Sequence, residues 1–171
     1  MTTEKITSGQ ALAVELEHEA AATRKMFERM PEEKFEWKPH EKSTPFVALA
    51  VHIAEMIDWV KLAVTTDELD YAVQPYKPFQ PKSNGELLEY FDKNVAGAIE
   101  ALKNISEEAI TKTWTVRNGE RTYFEKPRLQ VLRTDCFNHV IHHRGQLSVY
   151  LRLNDIPLPG VYGPTADEQS M

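Results

Sequence analysis

Apolar residues recur at intervals of three and four through four stretches of the chain, the period of helices that each turn one face to a core. In the first, Ser8 to Met30, Leu12, Leu16, Met26 and Met30 share a stripe, with Ser8 as the N-cap and Pro31 as the terminator. Glu19 and Thr23 fall on that stripe too. A core face rotated toward Ala13, Ala20 and Phe27 would leave Glu19 in solvent, and a single carboxylate favours that rotated face. His18 has no apolar neighbours at helical spacing and reads as a surface residue.

The second stretch, Pro45 to about Thr65, opens with proline at a first-turn position and repeats Leu49, His52, Met56, Trp59 and Ala63. The third, Asn84 to Asn104, carries the most regular stripe, Leu88, Phe91, Val95, Ala98, Leu102 and Ile105, behind a Ser83 cap with Glu86 completing a capping box. It offers no chemistry. The fourth runs from Pro127 to Asn154, with Leu132, Cys136, His139, His143, Gln146 and Tyr150 on one stripe turned to the core.

Between these stretches the pattern breaks. Pro31 to Thr44 is polar, with Phe35 and Trp37 as anchors and His40 solvated among charges. Thr66 to Lys82 is too interrupted by proline for a helix, and its length suits a crossover or a cover. From Thr111 to Lys126, β-branched and aromatic residues flank Asn118-Gly119, the signature of a type I′ hairpin. Such a hairpin is marginal alone, so Trp114, Val116, Tyr123 and Phe124 need apolar support from the helices or a second subunit. The expected fold is all-α: a four-helix bundle with one long crossover and a small β-hairpin before the last helix, forming a single domain over residues 1–171.

Composition narrows the function. A net charge of -6 opposes binding to nucleic-acid backbones. The single cysteine, Cys136, permits no internal disulfide, and no stretch has the length of a spanning helix, so a cytoplasmic protein without membrane partners is expected. Lying on the core stripe, Cys136 reads as a small hydrophobe rather than a nucleophile.

The remaining candidate chemistry is histidine. His139 and His143 lie four apart on one helix, so both rings reach one point, as a metal ion requires. Taken alone, His52 is a core imidazole satisfied by a carbonyl or a water. Taken with the other two, it leaves three rings whose nitrogens all need partners, and a metal satisfies one nitrogen of each. His142 is also a helical neighbour of the pair, but choosing it would rotate the face off Cys136, Gln146 and Tyr150, so it reads as a flanking residue. Asp135 and Gln146 are candidates to orient a ligand ring, beside their plain reading as exposed or core-capping polar groups.

The stretch HVIHHRGQLSVYLRLNDIPLPGVYGPT resembles the signature of the DinB-like (DinB/YfiT) superfamily, with its HxxxH pair, Arg-Gly-Gln step and proline-rich tail ending in Tyr-Gly. FVALAVHIAEMIDW is similar to its single-histidine second helix. The resemblance implies a metal held by His52, His139 and His143, common homodimers, and activities that include thiol-dependent S-transferases and a mycothiol-dependent isomerase.

Tris-histidine ligation leaves a divalent ion, zinc or nickel before manganese or iron, with open positions where a thiol or water becomes a nucleophile at neutral pH. The leading expectation is a thiol S-transferase acting on small electrophiles, with a metal-dependent hydrolase the nearest alternative. A second expectation is a noncatalytic metal or small-ligand binder whose open position is filled by a residue such as Tyr162. A third is a dimeric scaffold in which the histidines are a relic.

Overall fold

The computed structural model describes residues 6–169, which form a mostly helical fold with a small three-stranded sheet. Helix α1, Ser8–Phe27, begins at the residue expected to cap it: the N-cap is instead Thr7, one residue earlier, and Gln10 completes a reciprocal capping box. It ends before Met30, whose amide bonds the Phe27 carbonyl in a final turn. Helix α2, Phe46–Thr65, follows Pro45, and the connector before it is pinned by the Trp37 ring against Tyr150, with centroids 5.6 Å apart. Helix α3, Asn84–Asn104, is capped by Ser83, whose hydroxyl accepts from the Glu86 amide. The Glu86 carboxylate returns its bond to Lys82 rather than to the cap. A short α4, Glu107–Thr111, absent from the sequence reading, follows on a Ser106 cap.

Contacts fix the helix directions. Gly9 lies so close to α3 that a Cβ there would stand 2.3 Å from the Leu102 carbonyl oxygen, while the Asn84 amide donates to the Phe27 carbonyl, so α1 and α3 are antiparallel. Asn94 donates to the Ala54 carbonyl and Gly97 sits beside Lys61, so α2 and α3 run parallel. A chain leaving the end of α2 must therefore travel back the length of a twenty-residue helix, about 30 Å, before α3 begins. The 66–83 connection makes that crossover. Its start forms β1, Glu68–Asp70, which pairs in parallel with β2, Thr113–Asn118; β2 pairs antiparallel with β3, Arg121–Pro127.

The expected two-stranded hairpin is thus the larger part of a three-stranded sheet. Its turn is also displaced by one residue: Asn118 pairs with Arg121, so Gly119 and Glu120 are central and only Gly119 has positive φ, the pattern of type II′ rather than I′. Trp114 and Val116 find their support within the chain, both buried, with Trp114 edge-on to Trp59.

The last helix, α5, spans Arg128–Gln130, a π-helical stretch Val131–Phe137 and Asn138–Leu153. Its opening residue, Arg128, is buried and donates to the Ala63, Thr66 and Ala109 carbonyls, which closes the C-terminal ends of α2 and α4. Residues Leu132, Cys136, Val140, Arg144, Leu147 and Leu151 form its buried line. His139 and His143 are half-buried on the shoulder of that line, and Gln146 is exposed. The expectation that the histidine stripe itself faces the core is corrected accordingly, and the wider π turns that precede it account for the changed phase.

Within the buried line, Arg144 meets Glu19 at 2.6 Å, with side chains 3% and 9% exposed, and also donates to the Glu19 carbonyl and the Tyr162 hydroxyl. The expectation of a solvated Glu19 is overturned: a carboxylate can be buried where an equally buried guanidinium neutralises it. No helix of the described residues is long and apolar enough to cross a membrane.

Candidate metal centre

Helix α2 supplies His52, and the α-helical part of α5, antiparallel to it, supplies His139 and His143. One ring nitrogen of each lies within 4.8 Å of the others. Ring centroids are 5.0 Å apart for His52 and His139, 4.8 Å for His52 and His143, and 4.6 Å for His139 and His143. Among the described residues this is the grouping of histidine, cysteine and carboxylate side chains with ligand spacing.

The neighbours of the rings decide where their protons sit. His143 Nδ1 is 2.7 Å from the Gln146 Oε1, an acceptor, so the proton is on Nδ1 and Nε2 carries a bare lone pair. The other end of that amide stands 3.2 Å from His142 Nε2, which orients it. His139 Nδ1 faces the Asp135 carbonyl at 3.3 Å, which likewise puts the proton on Nδ1. Its Nε2 is then bare, and it lies 3.3 Å from His52 Nε2.

Burial first, and then His143 and His139, push the His52 pKa down to about 4; burial also lowers that of His143, with His139 and His142 adding to the effect against the Gln146 bond. Both are therefore neutral at pH 7. Neutral imidazoles converging in a half-buried setting are the donor set that a divalent ion of the zinc or nickel type takes.

Gln146 thus holds a candidate ligand in place, and His142 supports it from outside. Asp135 acts only through its main chain, because its carboxylate is bound by Lys126, with both oxygens 2.9 Å from the ammonium. Tyr162 is placed away from the histidines, its hydroxyl 2.9 Å from both Glu19 carboxylate oxygens and bonded by Arg144. His18 is exposed and stacks on the Tyr162 ring, and His40 accepts from the Lys42 amide in its loop. Cys136 is fully buried, and burial beside Asp135 pushes its thiol far up, so it remains protonated.

Two cavities meet at His52. One, about 1230 Å³, reaches His52 and His143 past Lys42, Gln146 and Lys82; the other, about 750 Å³, reaches His52 and His139 past Trp59, Tyr123 and Phe124. Tyr76, from the crossover, lines both. It is pinned by Glu55, whose buried carboxylate accepts the Tyr76 hydroxyl at 2.7 Å and the Phe79 amide at 3.2 Å. The sequence reading missed Glu55 and Tyr76. A signal for Glu55 was present: it is an acidic residue in the apolar run AVHIAEMIDWV, one helical turn after His52 and on the same face.

A sequence profile of the DinB superfamily matches residues 15–147. The chain is 24% identical over 157 residues to the Bacillus subtilis (strain 168) protein YrdA, covering 89% of this chain and 86% of that one. It is similar in structure to the DinB-like protein YjoA from Bacillus subtilis, with a TM-score of 0.70 and 17% identity over 94% of this chain and 99% of that one. A DinB-like protein from Bacillus cereus ATCC 10987 gives a TM-score of 0.67 and 22% identity over 88% and 95% of the two chains. The family to which this chain belongs is the DinB superfamily.

Proposed function

We propose that this protein is a metal-dependent thiol S-transferase acting on small electrophiles, with a divalent ion held by His52, His139 and His143. The carrying observation is that the three bare or neutral imidazoles lie where two separate cavities meet. A reaction between two small molecules needs two approaches to one centre; hydrolysis needs one approach and water. When bound, the ion would act as a Lewis acid that makes a thiol a stronger nucleophile at neutral pH.

The chain's own groups prepare that event. Gln146 and the Asp135 carbonyl hold the Nδ1 protons of His143 and His139, which leaves both Nε2 atoms free to ligate. The partition of Tyr76 and Glu55 keeps the two reactants on separate paths. In the transfer, the thiol gives up its proton and its sulfur bonds to the electrophilic carbon. The displaced group leaves with the bonding pair and takes up a proton. We further read the four long helices as a four-helix bundle, the chain as one domain, and the active form as a cytoplasmic homodimer.

The test is thiol consumption by the metal-loaded protein with a panel of low-molecular-weight thiols and alkylating electrophiles. Turnover that disappears in His52→Ala supports the transferase. Full metal loading with no turnover for any pair contradicts it and leaves a metal-binding protein.

A further inference from the structure

The smaller cavity differs in chemistry from the larger one. Lys42, Lys82 and Glu36 line the larger, whereas the smaller is walled by Trp59, Tyr71, Tyr76, Tyr123 and Phe124, and its ionisable lining groups include, besides the histidines, the carboxylates of Glu55 and Asp135 but no lysine or arginine. Its rings are braced. Trp59 packs edge-on to the fully buried Trp114 with centroids 5.9 Å apart, and Tyr71 packs against Tyr123 at 6.3 Å. Arg121 lies over the Tyr123 ring at 5.1 Å and Lys126 over the Phe124 ring at 4.5 Å, yet neither cation lines the cavity. Tyr76 and Tyr123 stay 60% and 48% exposed, so much of their ring surface remains in water although it borders a concave apolar space. Preformed aromatic walls, a few polar groups and this volume are the attributes of a small-molecule site.

We propose that this cavity binds an uncharged, ring-bearing small molecule, stacked among Trp59, Tyr71, Tyr123 and Phe124 with one end against His52 and His139. The aromatic faces favour a flat apolar ring. The Glu55 carboxylate, in a lining without lysine or arginine, disfavours an anion, while the Asp135 charge is balanced by Lys126. Resting on the transferase reading, this molecule is the electrophile, and the larger cavity is left for the thiol. Binding of the ring itself needs no metal.

The experiment titrates the protein with naphthalene methanol and with naphthoate, following tryptophan fluorescence and heat. The neutral probe is used on both the metal-loaded and the chelated protein; the two probes are compared on the chelated protein, where the carboxylate has no ion to ligate. The alcohol is expected to bind in both states and at least about tenfold tighter than the carboxylate. Phe124→Ala should weaken it about tenfold, and Lys42→Ala should leave it unchanged. Tyr123→Ser, at an exposed strand position, gives a second ring deletion with little risk to folding. Absence of binding, equal binding of the anion, or affinity indifferent to both ring variants overturns the proposal. Metal content, measured on the same samples, separates that failure from failure of the metal site.

Discussion

Two hydrogen bonds set which nitrogen is bare in His139 and His143, and one of them comes from a side chain that can be deleted. Removing the Gln146 amide frees His143 Nδ1 from its acceptor, so ring and tautomer are no longer held. Gln146→Ala should weaken metal binding by about tenfold or more, measured by competition with a chromophoric chelator. Unchanged affinity would mean that the amide orients nothing.

His52 supplies a second prediction at this scale. Its pKa falls from 6.5 to about 4 on folding, chiefly through burial. Above 6.5 both states are neutral, and the group has no effect on stability. As the pH drops through the window from 6.5 to about 4, the unfolded chain binds a proton that the folded one refuses, so stability falls; below about 4 the loss levels off. His143, also lowered, acts with the same sign. The melting temperature of the metal-free protein should therefore decline from pH ~7.5 to ~4.5, and His52→Gln should flatten the decline. An identical slope in the variant would contradict this account.

Among the elements, α5 carries two of the three site histidines on its shoulder and the anchor for the C-terminal tail on its buried line. Arg144 joins Glu19 of α1 to Tyr162 of the tail. Arg144→Met would leave the Glu19 carboxylate buried without its cation, at a cost of about 3–5 kcal/mol in chemical denaturation. A loss below about 1 kcal/mol would show that Glu19 can reach water instead. This element also marks what the sequence could convey. The spacing of His139 and His143, the helical period of α2 and the Ser83 cap of α3 were legible because each is a local relation, whereas at α2 Pro45 is itself the N-cap rather than the first helical residue. The burial of Glu19 was not, since it depends on a guanidinium 125 residues away. The π stretch was equally hidden: its effect on phase moved Val140 and Arg144 onto the buried line and the histidines to the shoulder, where a ligand can reach them. β1 was lost for a similar reason, as its partner strand lies more than forty residues downstream.

At the scale of the whole molecule, the parallel course of α2 and α3 has the largest consequence. It forces the 66–83 crossover back along the helices, and that segment supplies both β1 and Tyr76, the residue lining both cavities. Helix α2 contributes His52 to the centre and, one turn on, Glu55 to pin the crossover beside it. Fold and site are thus coupled through a single helix, and a two-sided approach to the histidines follows from the connectivity.

The central claim is that these histidines hold a metal. The direct measurement is elemental analysis of the tag-free protein beside the His139→Ala/His143→Ala double variant, both offered zinc, nickel and manganese. About one divalent ion per chain is expected, lost in the variant. Equal metal in both proteins, or none in either, would contradict it and return the three imidazoles to the role of packing residues.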